Sequence, residues 1–161
     1  MVSPAAAPAS SPAGTPEGQR LVDLVRADAL AGAAEMIVAV ERFARDTDGV
    51  IATVGQIAVT PNAVNVVPGA VEFSLEVRSP TDELRREAAA NIIRICADTA
   101  KERGLTLASD FTYEQVAQPC DGGLMGELEA ATRAVHGKVP GIPSGATHDA
   151  SAMSELCPMA M

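Results

Sequence analysis

Between Ala70 and Arg78 the side chains change character at every step. Val71, Phe73, Leu75 and Val77 are apolar, and Glu72, Ser74, Glu76 and Arg78 alternate with them. Extended chain sends successive side chains to opposite faces, so this segment reads as a strand with one face on a core and one in water. A sheet wetted on one side belongs with antiparallel pairing and helices packed on the other side. The rest of the sequence is read around that strand.

Ser79-Pro80-Thr81-Asp82 follows at once and announces a helix, with Ser79 as N-cap, Pro80 at the first helical position and acid in the first turn. Leu84, Ala88, Ile92, Ile95 and Thr99 form its expected buried stripe, and Gly104 suits the position just past its end. Upstream, a helical pattern begins at Leu21 and carries Leu30, Ala33, Ile37, Val40 and Ala44 until Asp48-Gly49. Val50 to Val59, rich in β-branched residues, reads as a strand, and Pro68-Gly69 as a turn. Leu105 to Val116 reads as another strand. A helix capped by Asp121 follows, running through Leu124, Leu128, Ala131 and Val135 to Gly137. A loop, Lys138 to Thr147, leads to a short helix from His148 to Leu156, and Pro158 to Met161 reads as a strand barely begun.

The fold class is therefore α+β: a two-layer sandwich with a mostly antiparallel sheet and helices on one face. Three strands are legible where a ferredoxin-like sandwich has four, so a missing strand and an uncovered sheet edge are expected. Residues 1–20, nearly all Ala, Pro, Ser and Gly up to Pro16, read as a disordered tail. The sandwich is assigned to 21–118 and a separate, partial segment to 119–161. Both ends of the pattern read as cut.

Apolar residues make up 47% of the chain, but with three Phe, one Tyr and no Trp the core must be built from small side chains. Twelve basic against twenty-one acidic residues leave a net charge of −9, a surface that repels nucleic-acid backbones and anionic lipid. No apolar run approaches the ~18 residues that span a bilayer. Neither a signal peptide nor a CxxC pair is present, so Cys96, Cys120 and Cys157 read as thiols in a reducing cytoplasm.

Few residues are placed for chemistry. Arg78 ends the alternating strand on its wet face, where its fork could hold a carboxylate or simply pair with Glu72 or Glu76. Asn65, before Val66-Val67-Pro68-Gly69, is a turn residue on the plainest reading. His148-Asp149 follows the small-residue loop Ser144-Gly145-Ala146-Thr147 into a helix start, a place for a ligand oxygen or for a plain N-cap. His136 suits a helix C-terminus. No nucleophile elbow, HExxH, phosphate loop or dinucleotide fingerprint occurs, and two histidines make no self-sufficient metal site.

The runs Val54-Gly55-Gln56-Ile57, Asn65 to Gly69 and Val71 to Pro80 resemble the lid domain of the amidase, hydantoinase and carbamoylase group. That group contains N-carbamoyl-L-amino-acid hydrolases, allantoate amidohydrolases and β-ureidopropionases, within the zinc-peptidase and aminoacylase superfamily. Pro143 to Ala150 resembles the group's SGAGHDA segment, and Cys157-Pro158-Met159 the strand entry after it. The resemblance implies a homodimer formed through the lid, with Asn65 and Arg78 binding a substrate carboxylate in the partner's active site. It places Thr147 and His148 along the pocket, and it implies two divalent ions, zinc or manganese, in the complete enzyme.

The family's metal ligands and catalytic glutamate have no counterpart here, so catalytic and metal-binding residues are expected to be absent from this chain. Pro12 stands where the lid histidine of the HAGTTP motif belongs, and Thr147 where many members have Gly. The expected activity is hydrolysis of carbamoyl, ureido or amidine C–N bonds in small carboxylates, with this chain inactive alone. The alternatives are a stand-alone dimerisation module and a non-catalytic carboxylate-binding protein.

Overall fold

A computed structural model of the chain describes residues 2–6, 28–138, 140–144, 146 and 148–161. Its elements run β1 (Val2–Ala6), α1 (Ala29–Asp46), β2 (Ile51–Thr53), β3 (Ile57–Thr60), β4 (Ala70–Phe73), β5 (Glu76–Arg78), α2 (Asp82–Glu102), β6 (Leu105–Ser109), α3 (Gly122–His136) and α4 (Asp149–Met153). The chain divides into two units, residues 1–79 with 83–114, and residues 80–82 with 115–161.

The first unit is the α+β sandwich. The two long strands expected over 50–59 and 70–78 are each broken once, and a bulge explains both breaks. Thr53 pairs with Glu76 and Ile57 with Phe73, which sets Val54, Gly55 and Gln56 against Ser74 and Leu75. The extra residue is accommodated because the Gln56 N–H donates to Ser74 Oγ at 3.0 Å and the Ser74 N–H donates to Gln56 O at 3.1 Å. One added residue reverses the side-chain alternation of its strand. Ala52 and Val54 accordingly face the core before the bulge and Val59 after it, while Val71, Phe73, Leu75 and Val77 keep one face throughout.

The main sheet has four strands in the order β3-β4-β1-β6, and β2 pairs with β5 as the hairpin's continuation. All pairings are antiparallel. With β1 included, the element order becomes β-α-β-β-α-β, the ferredoxin-like arrangement. The expectation of a missing strand is thus corrected, as is that of an unordered tail for residues 2–6. Those residues lie between β4 and β6, where both neighbours offer unpaired backbone. The ladder to β4 registers at Val2 with Phe73 and at Ala5 with Ala70. Its unregistered middle falls at Ser3 and Pro4, and a proline has no N–H to give. Residues 7–27, including the rest of the expected tail and the helical start at Leu21, lie outside the described residues.

Helix α1 begins at Asp28, whose carboxylate accepts the N–H groups of Leu30 and Ala31 at 2.9 and 3.0 Å. Its buried face is Ala29, Gly32, Ala33, Met36 and Val40, turned by about one residue from the stripe expected through Leu30 and Ile37. Gly32 explains the turn: a Cβ there would overlap Leu105 Cδ1, so the helix seats its smallest residue against β6.

Helix α2 starts at Asp82, not behind a Ser79 cap. Ser79 Oγ is buried and finds no hydrogen-bond partner among the described residues. Ala88, Ile92, Cys96, Thr99 and Ala100 are its buried residues, with Leu84 and Ile95 only half-buried. Gly104, at φ +67°, ends it as expected. Burial pushes the Cys96 thiol up to about 11. Alkylation of the native protein is therefore expected to label exposed Cys157 and to spare Cys96 until unfolding, which mass spectrometry of the labelled peptides checks.

Strand β6 stops at Ser109, short of the expected Val116. Its register with β1 runs from Ala6–Leu105 to Val2–Ser109. Glu114 is held instead by the Arg85 and Arg86 side chains at 2.9 and 2.8 Å. These two guanidiniums hold its carboxyl below the ordinary glutamate range. A depressed carboxylate stabilises the fold above its unfolded pKa, and that contribution is lost as pH falls through the folded value. Acid titration by NMR should show Glu114 protonating below an unpaired glutamate, with residues around 114 loosening in the same pH window.

In the second unit, Asp121 caps α3 by accepting the Leu124 N–H at 2.9 Å, and Gly137 ends it at φ +77°. No residue of α3 is buried; Leu124, Leu128 and Val135 are exposed. Pro158 to Met161 forms no strand, although the Asp121 N–H donates to Met159 O at 2.7 Å.

Candidate functional site

Arg78 takes its place from the alternation of the second hairpin strand. Val77 faces the core, so Arg78 and Glu76 share the opposite face, where Arg78 lies across from half-exposed Ile51. Its side chain is 44% exposed, and Nη2 donates to both carboxylate oxygens of Glu76 at 2.8 and 2.9 Å. The guanidinium is thus displayed outward and already holds a carboxylate of its own chain. The surface-pair reading of Arg78 is what this geometry shows.

Asn65 sits in the loop between β3 and β4. The loop is closed at its base by the Gly69 N–H donating to Thr60 O at 2.9 Å, and is tied to the start of α1 by the Ala29 N–H donating to Pro68 O at 3.1 Å. Asn65 is exposed, with exposed Val64, Val66 and Val67 around it. Residues 70 to 78 cover up to roughly 26 Å of extended strand. The loop and Arg78 therefore stand at opposite ends of one hairpin, and the structure does not bring Asn65 and Arg78 together within this chain.

His148, in the second unit, is the N-cap of α4: its Nδ1 accepts the Ala150 N–H at 3.3 Å. The plain N-cap reading of this residue is what the geometry shows. An accepting Nδ1 leaves the ring proton on Nε2, so the ring can offer a donor to a ligand oxygen. Thr147 lies outside the described residues. Among the described residues no three His, Cys, Asp or Glu side chains gather as metal ligands, so those present do not fit a binuclear centre. No described helix is long and apolar enough to cross a membrane.

Sequence reasoning missed the convergence of Arg85 and Arg86 on Glu114. Its one signal was a pair of arginines near a helix N-terminus, where positive charge opposes the helix dipole and calls for a compensating acid.

No protein-family model matches the chain. It is 33% identical over 137 residues to the N-carbamoyl-L-amino acid amidohydrolase of Geobacillus stearothermophilus, which covers 85% of this chain and 34% of that protein. It is 28% identical over 166 residues to a probable allantoate deiminase of Oryza sativa subsp. japonica, with the same coverage of each. The crystal structure of a putative amidohydrolase/peptidase from Burkholderia cenocepacia superposes with a TM-score of 0.80 at 32% identity, over 98% of this chain and 37% of that one. The chain spans about a third of the length of the relatives it matches. It is a homologue of one part of the amidohydrolases of the hydantoinase/carbamoylase group.

Proposed function

We propose that this chain supplies the lid and part of the catalytic body of a metal-dependent amidohydrolase that cleaves carbamoyl or ureido C–N bonds in small carboxylates. Its first unit is the lid, which pairs with a second copy, and its second unit belongs to the catalytic body. Arg78 and Asn65 take the substrate carboxylate, and Thr147 and His148 line the pocket. The observation that carries the reading is the outward guanidinium of Arg78, seated on a paired strand and already donating from Nη2 to a carboxylate.

The separation of Asn65 from Arg78 along one hairpin is compatible with a site shared between two copies, each chain lending groups to the other. Two divalent ions, zinc or manganese, would be held by parts of the enzyme beyond the matched third. The names of the relatives, an N-carbamoyl-L-amino acid amidohydrolase and a probable allantoate deiminase, support that substrate class. Free thiols at Cys96, Cys120 and Cys157 support a cytoplasmic setting.

Transplanting residues 28–161 into the Geobacillus stearothermophilus amidohydrolase tests the reading. The chimera is expected to hydrolyse an N-carbamoyl-L-amino acid when manganese or zinc is supplied, while the chain alone shows no turnover. A chimera that folds and dimerises but does not bind the substrate would refute carboxylate recognition by this segment. A silent pairing module is the second reading, favoured by the occupation of Arg78 by Glu76. It predicts a chimera that dimerises and stays inactive.

A further inference from the structure

Residues 110–121, which follow β6, form no helix or strand, and none of them is buried. Their largest apolar side chains turn outward, Phe111 at 79% and Tyr113 at 77% exposure. Hydrophobic burial therefore does little to hold this segment in place. Charge does more. Arg85 Nη2 and Arg86 Nε both donate to one oxygen of Glu114, at 2.9 and 2.8 Å. Three residues on, the Ala117 N–H donates to an Asp82 carboxylate oxygen at 3.1 Å.

Asp82, Arg85 and Arg86 all lie in the first five residues of α2. Neighbouring residues on a helix project about 100° apart, so two arginines reaching one oxygen must enclose it from both sides. The Arg85 side chain is only 17% exposed, which weakens solvent screening on that side of the clasp.

We propose that residues 110–121 are a strap latched electrostatically to the first turns of α2, with Glu114 as the catch. Removing the Glu114 charge, or screening it with salt, releases the strap as a local unit while the sandwich core stays folded. The lowered proton affinity of Glu114 fits a carboxylate held by two cations.

Amide hydrogen exchange on the full chain tests this, comparing the native protein with Glu114→Gln and with Arg85→Ala/Arg86→Ala. Amides of 110–118 are expected to exchange about three- to tenfold faster in both variants, the range for a partly exposed charged clasp. Core amides such as Phe73 and Ile92 should be unchanged. Raising salt to about 1 M, where screening acts within ~3 Å, should speed the same amides in the native protein and not in Glu114→Gln. Native-like protection in Glu114→Gln, or no salt response in the native protein, would overturn the latch. So would acceleration spread evenly over core and strap, since that reports global destabilisation only.

Discussion

Replacing Arg78 with alanine in the active chimera is expected to lower kcat/KM by roughly 30- to 5000-fold, with most of the loss in KM. The expectation rests on what the guanidinium does in each setting. Against Glu76, in water, the pair contributes on the order of 0.2–1 kcal/mol, so Glu76 is a weak competitor that a substrate can displace. Against a substrate carboxylate in an enclosed pocket, truncating one partner of a charged pair costs about 2–5 kcal/mol. A carboxylate remote from the scissile bond is held equally in ground and transition states, which places the effect in KM. Arg78→Lys should fall between, keeping the charge and losing the fork. If steady-state kinetics show an unchanged KM in Arg78→Ala, the carboxylate assignment fails. A fall in kcat alone would move Arg78 from binding to catalysis.

The largest stability effect is expected at Phe73. It is 1% exposed and is the bulkiest fully buried side chain, packed in one cluster with Met36 of α1 and with Ile92 and Cys96 of α2. The same cluster holds Ala29, Ala33 and Ala100, side chains too short to extend into a vacated volume. Phe73→Ala should therefore cost about 3–5 kcal/mol. For a domain whose total stability is about 5–15 kcal/mol, that is a large share. Urea denaturation monitored by circular dichroism measures it. Phe111→Ala is the control: with its ring 79% exposed, it should change stability by no more than about 0.5 kcal/mol. Equal losses at the two positions would mean that the core has been misplaced.

Much of the sandwich is legible in the residues because local rules decide it. Alternation from Val71 to Val77 gives the strand and its buried face, Gly104 and Gly137 mark helix ends, and Asp121 marks a helix start. What escapes depends on partners far along the chain. Val2–Ala6 carries no strand signal of its own and becomes one because β4 and β6 leave a gap between them. The bulge at Gly55 is a disagreement between two strands that neither shows alone. Ser79 has the composition of a cap and is turned inward by the strand that precedes it. The α1 face is set by the approach of Leu105 to Gly32, a contact invisible to a hydrophobic period.

The candidate site divides in the same way. The outward face of Arg78 follows from strand parity alone, and so does the carboxylate within its reach at Glu76. The family resemblance implied one joint site for Asn65 and Arg78, but a hairpin sets them at opposite ends within this chain, because strand rise converts thirteen residues into distance and not proximity.

The position of β1 also bears on how the molecule assembles. In the order β3-β4-β1-β6, Val2 is zipped to Ser109, so the sheet closes only when segments about a hundred residues apart in sequence meet. Pairings across so long a stretch raise contact order and slow folding. Until β6 joins, β1 presents an open edge to any passing strand.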